Sequence, residues 1–235
     1  LYLAQANDRL APSGALIQGR DVSLISGGSL ASSGTLRASE SLVATATNIG
    51  NSGLVQAGNR LSLLAANSIH NAQGGIINGK DVNLTAVLGD ITNERTITQE
   101  ARKGKNFTQL TSTVDSAAGI EAANNLSISA GRDIQNIGGT LKAGGDAKLE
   151  AGRDLVITSA EEQQGQMRKD KRHYWETSTI TQHGSDVQIG GNLGMTADQD
   201  LTVIASTVKA QGDIAMVSGR DTTIASAANA RSSEY

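Results

Sequence analysis

The sequence of 235 residues has no cysteine, one proline and only five aromatic residues. The lack of cysteine excludes disulfide bonds, zinc sites with cysteine ligands and cysteine nucleophiles. A compact globular core of this size relies on Phe, Tyr and Trp for much of its buried area, so a conventional globular fold is not expected. No run of about 18 apolar residues is present that could span a bilayer as a helix. The formal net charge of −3 argues against a nucleic-acid partner, because dedicated nucleic-acid binders carry a strongly basic surface.

Glycine, by contrast, is abundant, with 27 residues, and much of it lies in a repeated phrase. Gly-Arg-Asp occurs at residues 19–21, 131–133, 152–154 and 219–221, and Gly-Lys-Asp at 79–81. A short segment of alternating apolar residues follows each phrase, and such segments bounded by glycine are typical of β-strands. Apolar positions of this kind recur about every 19 to 22 residues in three parallel series. The first series is Ile17, Leu36, Val55, Ile77, Ile120, Leu141, Val187 and Val208.

Three short strands in each repeat leave only about two to four residues for each corner. A coil that stacks every strand on its equivalent one turn later satisfies this constant period, whereas a hairpin sheet does not. The pattern therefore predicts an all-β fold, a right-handed parallel β-helix with three short strands per coil and about eight coils. Leu1, Leu3 and Leu10 predict a partial unit before the first complete one. The narrow interior of such a coil accepts Leu, Ile, Val and Ala, which explains the scarcity of aromatics.

Polar residues at the corners have structural explanations. Glycine permits tight turns, and we expect each corner Asp to accept a hydrogen bond from the backbone of its own turn. A calcium-binding repeat is not expected, because the nine-residue Gly-Gly-x-Gly-x-Asp spacing is missing. Asn51, Asn71, Asn93 and Asn136 each follow a third-strand Ile by two residues, which predicts a ladder of stacked amides.

Two insertions, residues 94–118 and 160–185, interrupt the repeat. Each contains two alternating arms around a charged turn, near residues 102–105 in the first and 169–172 in the second, and each therefore predicts a β-hairpin. Both leave after a third strand and return to a first strand, so they project from the same edge. Because their arms belong to four consecutive layers about 4.8 Å apart, we expect one four-stranded antiparallel sheet standing off the β-helix.

The insertions also contain the candidate interaction surface. They contain every aromatic residue that lies away from the chain ends, together with eight of the 20 Lys and Arg residues. Basic groups beside exposed rings suit an anionic glycan or a membrane interface; alternatively, the rings only give the sheet an apolar contact and the charges discourage edge pairing. The residues concerned are Arg102, Lys103, Lys105, Phe107, Arg168, Lys169, Lys171, Arg172, Tyr174 and Trp175.

Two stretches, residues 151–160 and 191–206, resemble the haemagglutinin repeats of filamentous-haemagglutinin-type exoproteins. That group includes the large effectors of contact-dependent growth inhibition. The resemblance extends over nearly the whole chain, and the insertions look most like the second repeat region of those effectors. In the effectors this region is associated with toxin delivery across the outer membrane of the target cell.

The resemblance implies a secreted protein displayed on the surface of a Gram-negative bacterium, reached through the periplasm and a two-partner outer-membrane transporter. The chain begins at Leu1, and residues after Ile224 parallel those after Ile157, so we expect residues 1–235 to be one β-helical fragment of a longer exoprotein in which a third insertion begins. We expect it to be a monomeric filament segment without a cofactor.

Three functions remain open at this stage. The first is a structural filament segment that supports adhesion or contact-dependent toxin delivery, and the second is a binding module whose hairpins contact glycan or the target outer membrane. The third is a polysaccharide lyase or hydrolase, since parallel β-helices also carry such enzymes. We expect no enzyme, because the corner aspartates repeat like a scaffold and His70, His173 and His183 lack metal-ligand spacing.

Overall fold

In a computed structural model, residues 14–234 are described, and within this range the chain forms strands and turns without a helix. The strands of successive coils pair in parallel, which confirms the predicted all-β class and parallel β-helix. The right-handed winding stays a prediction. The partial unit predicted from Leu1, Leu3 and Leu10 lies outside the described residues.

The first ladder of strands contains one strand from each coil. Its register pairs the eight apolar residues of the series that begins at Ile17 and ends at Val208, in the predicted order. The strands are β1 (Leu16–Ile25), β3 (Thr35–Ala46), β5 (Leu54–Ala57), β8 (Ile76–Gly79), β13 (Gly119–Ala122), β16 (Thr140–Ala143), β21 (Asp186–Ile189) and β24 (Thr207–Ala210).

The second ladder continues from the first, because β1 and β3 run through the corner and contribute to both ladders; in β1 the register shifts between Gly19 and Asp21. The two ladders therefore form one 14-stranded sheet. The remaining strands of the second ladder are β6 (Arg60–Ala65), β9 (Asp81–Ala86), β14 (Leu126–Ala130), β17 (Ala147–Ala151), β22 (Leu193–Ala197) and β25 (Ile214–Ser218).

The third ladder is a separate parallel sheet of eight strands. It lies on the side from which the insertions leave, between the second ladder of one coil and the first ladder of the next. Its strands are β2 (Ser29–Ser32), β4 (Asn48–Asn51), β7 (Ile69–Asn71), β10 (Ile91–Glu94), β15 (Ile134–Ile137), β18 (Leu155–Thr158), β23 (Leu201–Ile204) and β26 (Thr222–Ala225).

The interior of the coil is filled by alternate residues of all three ladders. Leu42, Leu61 and Val82 stack on one another through the second ladder and are fully buried or nearly so. Within residues 14–234 the buried apolar core consists of Leu, Ile, Val, Ala and one Met, and contains no aromatic ring. The small, branched side chains of the repeat thus fill a core too narrow for rings.

The predicted amide ladder is confirmed in the third ladder. Asn51 donates to Asn71 at 2.8 Å, Asn71 to Asn93 at 2.8 Å, and Asn93 to Asn136 at 2.7 Å. All four side chains are buried, and each also donates to a backbone carbonyl at the corner. The ladder stops where Ile157 takes the equivalent position in the next coil.

The corner aspartates bond differently from the prediction. Asp90 accepts the backbone N–H of Asp133 at 3.1 Å, and Asp133 accepts that of Asp154 at 3.3 Å, one coil further along. Arg132 and Arg153 of the Gly-Arg-Asp phrases reach back to the Asp of the preceding coil, Arg132 to Asp90 at 2.9 Å and Arg153 to Asp133 at 2.7 Å. The expectation of bonds within the same turn was wrong here, because parallel stacking puts the backbone of the next coil only about 4.8 Å away, so that its N–H lies within reach of each carboxylate.

Candidate binding surface on the side sheet

The two insertions form one antiparallel sheet beside the β-helix. Its order is β11 (Ile97–Gly104), β12 (Phe107–Val114), β19 (Ala160–Lys169), β20 (Tyr174–His183) and β27 (Ala230–Glu234). The predicted side sheet is confirmed, but the expected number of four strands was wrong. The fifth strand, β27, comes from the segment in which the sequence predicts the start of a third insertion.

Contacts at the base and near the tips hold the hairpins. At the base of the first hairpin the N–H of Asp115 donates to the carbonyl of Thr96 at 3.0 Å, so the arms leave and rejoin the coil side by side. The two hairpins pair over four residues only, from Phe107 opposite Arg168 to Leu110 opposite Gly165. This junction lies in the outer half of both hairpins, away from the coil.

Cross-strand pairing decides which side chains share a face. Phe107 pairs with Arg168, and Arg168 pairs with Trp175, so these three side chains form a row across β12, β19 and β20 on one face. We call this the groove face. The next row inward on the groove face contains Arg102, Gln109, Gln166, Thr177 and Ser233, and the row after it contains Glu100, Thr111, Gln164, Thr179 and Arg231.

The structure distributes the predicted surface residues over three places. Arg102, Phe107, Arg168 and Trp175 lie on the groove face. Lys103, Lys169 and Tyr174 lie on the opposite face, because their strand positions alternate with those of the first group. Lys105, Lys171 and Arg172 lie in the two turns. Trp175 is half-buried and the other nine residues are exposed.

A cavity of about 480 Å³ opens at the outer end of the groove face, where Phe107, Arg168 and Trp175 line it with residues of both turns. A second cavity of about 360 Å³ lies further inward and extends to Arg231. Both cavities contact Gln109, Gln166 and Trp175, so they form one continuous groove.

The sequence prediction missed the polar part of this groove. It selected basic and aromatic residues of the two insertions and therefore passed over Gln109, Gln164 and Gln166. It also passed over Arg231, which lies in a later segment. The alternation along each arm would have placed them on the same face as Phe107 or Trp175 once the cross-strand register was known.

Gly104 shapes the outer end of the groove. It pairs with Phe107 across the first hairpin, and a Cβ atom added to Gly104 would collide with the Phe107 ring. The ring therefore lies directly over the glycine backbone. A larger residue at this position would move the ring.

The charged groups of the side sheet are only partly paired. Arg102 lies 3.2 Å from Glu100, and His183 lies 2.8 Å from Glu162, where the hydrogen bond from His183 lowers the pKa of the Glu162 carboxyl. Within residues 14–234, neither Arg168 nor Arg231 forms an ion pair. The groove thus presents two guanidinium groups to solvent.

The opposite face has an internal bond at its outer end. The Tyr174 hydroxyl donates to Glu176, and this hydrogen bond raises the pKa of Tyr174. At the second turn the backbone N–H groups of Arg172 and His173 donate to Asp170 and lower its pKa. Asp170 and His173 of this turn also line the cavity of about 480 Å³.

Across residues 14–234, no group of three or more His, Cys, Asp or Glu side chains is placed to hold a metal ion. That part of the chain also lacks a helix long and apolar enough to cross a membrane.

Comparison with known proteins identifies the repeat. A Haemagglutinin repeat family model matches residues 2–53 and 31–113, and a second Hemagglutinin repeat model matches residues 98–173 and 165–235. No solved structure matches the chain.

Relatives are found among proteins named CdiA. The chain is 33% identical over 197 residues to the deoxyribonuclease CdiA of Dickeya dadantii, and 27% identical over 227 residues to the tRNA nuclease CdiA of Escherichia coli strain STEC_O31. It is 34% identical over 218 residues to the 16S rRNA endonuclease CdiA of Enterobacter cloacae. These alignments cover 80%, 94% and 91% of this chain, but only 6%, 7% and 6% of the relatives. The chain therefore belongs to the haemagglutinin-repeat family and is a repeat region of the kind found in CdiA proteins of contact-dependent inhibition.

Proposed function

We propose that the chain is a structural filament segment of a secreted, cell-surface exoprotein, where it supports adhesion or contact-dependent toxin delivery. The observation that carries this proposal is the unbroken stacking of the coils through both insertions. Ile77 pairs with Ile120 across the first insertion, and Leu141 pairs with Val187 across the second. At about 4.8 Å for each layer, eight coils contribute roughly 40 Å of filament.

The relatives support the wider setting of this proposal. Proteins named CdiA carry similar repeats. This chain spans only about one fifteenth of their length, and their nuclease names refer to the whole proteins. We assign no catalysis to the segment, since Asp133 and Asp200 are occupied by Arg153 and Arg220 of the following coils. Its expected partners are an outer-membrane transporter during secretion through the periplasm of a Gram-negative cell, and then the target-cell surface.

A second function, a binding module, is favoured by the groove on the side sheet. The hairpins hold Phe107, Arg168 and Trp175 in one row at the end furthest from the coil, beside a cavity of about 480 Å³. A filament spacer alone does not require such a row. The module would contact glycan or the outer membrane of the target cell.

Two deletions of nearly equal length in the full exoprotein test both functions. Removing residues 35–53 takes out one coil in register, since Thr35 pairs with Leu54. Removing residues 97–114, and joining Thr96 to Asp115 through an Asn-Gly turn, takes out only the first hairpin. We expect the coil deletion to leave target-cell binding near the wild-type level, because a spacer tolerates the loss of one layer.

The hairpin deletion should abolish binding if the side sheet is a binding module, with far-UV circular dichroism showing that both variants remain folded. Loss of binding with the folded coil deletion would contradict the spacer function. Unchanged binding with the hairpin deletion would contradict the module.

A further inference from the structure

We propose that the groove face of the side sheet binds an oligosaccharide that carries carboxylate groups, such as a segment of a uronic-acid polysaccharide. This inference rests on the binding-module function and names its ligand and its face. It depends on three properties of the groove: flat rings at one end, amides and hydroxyls along its length, and two guanidinium groups.

The rings form the outer end of the groove. Phe107 and Trp175 lie on either side of Arg168 in one cross-strand row, with neighbouring Cβ atoms about 5 Å apart. An aromatic face that is half exposed suits the C–H face of a sugar ring, which is apolar although the ring's edge carries hydroxyls. Gly104 holds the Phe107 ring close to the sheet and so keeps that face open.

Inward of the rings, the floor of the groove is lined by polar side chains. Gln109 and Gln166 pair across β12 and β19, and Thr177 follows on β20. Amides and hydroxyls both donate and accept hydrogen bonds, which matches the hydroxyl groups of a sugar chain. Acyl chains offer no such partners, and burying these groups against a lipid tail would be costly. The floor therefore favours a sugar chain over the bilayer.

The charges favour an acidic chain with widely spaced carboxylates. Arg168 and Arg231 form no ion pair within residues 14–234, and a guanidinium group binds a carboxylate through two parallel hydrogen bonds. By ordinary strand dimensions their Cα atoms lie roughly 17 Å apart, two strands and four residues away from each other. Two separated guanidinium groups suit one carboxylate at every few sugar rings.

Residues on the opposite face supply matched controls for the test. Arg168 and Trp175 lie on the groove face, whereas Lys103 and Tyr174 lie on the opposite face and line neither cavity. Both pairs combine one basic and one aromatic side chain in the outer part of the side sheet.

The experiment is a calorimetric titration of the chain with short galacturonic-acid oligomers, with neutral dextran oligomers as the comparison ligand. We expect binding of the acidic oligomers only. Trp175→Ala and Arg168→Gln should each weaken binding about tenfold or more, through the lost ring and the lost carboxylate bond. Tyr174→Ala and Lys103→Gln should change the affinity less than about twofold, and all four variants should keep the wild-type thermal midpoint.

Three results would overturn the inference: absence of binding by the folded wild-type chain, equal binding of neutral oligomers, or equal losses on both faces. Vesicles containing phosphatidylglycerol provide the membrane comparison. If the chain bound these vesicles but not the acidic oligomers, the side sheet would be a membrane-binding surface and the inference would be wrong. The filament function would survive each of these results, because the coil deletion tests it separately.

Discussion

At the scale of the residue, the buried amides show how polar side chains can stabilise an apolar coil. Asn71 is fully buried, yet its amide donates to Asn93 and to the carbonyl of Gly75, while its oxygen accepts from Asn51. Along the row, each side-chain amide donates a hydrogen bond to the side-chain oxygen of the asparagine in the next coil. The row therefore fixes the register of the third ladder as well as filling it.

Replacement of Asn71 by Ala should destabilise the fold by about 3 kcal/mol, because it leaves the Asn51 amide and the Asn93 oxygen without their partners in the core. Asn67 is the matched control: it also donates to an asparagine one coil away, Asn48, but at the exposed corner. Asn67→Ala should cost less than about 1 kcal/mol. Urea unfolding of the two variants measures the difference, and equal shifts of the midpoint would contradict the role assigned to burial.

The stacked aspartates predict a dependence of stability on pH. Hydrogen bonds from Arg220 lower the pKa of Asp200 from its ordinary value of 3.8. A carboxyl whose pKa is lower in the folded than in the unfolded state stabilises the fold above the unfolded pKa, and this contribution is lost as the pH falls through the folded pKa. The gap in thermal midpoint between wild type and Asp200→Asn should therefore be widest near neutral pH and narrow as the pH falls below 3.8. A gap that stayed constant down to acidic pH would refute this linkage.

At the scale of the element, the strands of the coil could be predicted from the sequence and the faces of the hairpins could not. The series from Ile17 to Val208 gives the pairing of the first ladder, because each coil repeats the same constraint on the same position. The spacing of Asn51, Asn71, Asn93 and Asn136 predicts the amide row for the same reason. Because the repeat has a constant period, residues at equivalent positions of successive repeats lie next to each other in the fold.

The hairpins lack such repetition. Whether Arg168 faces the same way as Phe107 depends on where each turn falls, and a shift of one residue moves every side chain to the other face. The ten predicted surface residues therefore separated into two faces and two turns, and Gln166 and Arg231 joined the groove unforeseen. The bonding of Asp133 was missed for a related reason, since its partner N–H comes from the next coil rather than from its own turn.

At the scale of the whole molecule, the residues that build the filament and the residues of the candidate binding surface lie in different parts of the fold. Aliphatic residues, amide rows and Asp–Arg pairs build the filament, while the rings and much of the free basic charge lie on a sheet beside it. The central claim is that two insertions far apart in sequence, whose tips are Lys105–Asn106 and Asp170–His173, meet in one sheet with a defined register. That register creates the groove face.

The absence of cysteine allows a direct measurement of this register. Thr108 pairs with Met167 across the junction of the two hairpins, on the face opposite the groove. Paired residues of antiparallel strands have Cα atoms about 5 Å apart, within the range that a disulfide bridges. The account predicts that Thr108→Cys with Met167→Cys forms a disulfide under mild oxidation, whereas Thr108→Cys with Arg168→Cys, whose side chains point to opposite faces, does not. A bond in the second pair, or in neither, would contradict the shared sheet.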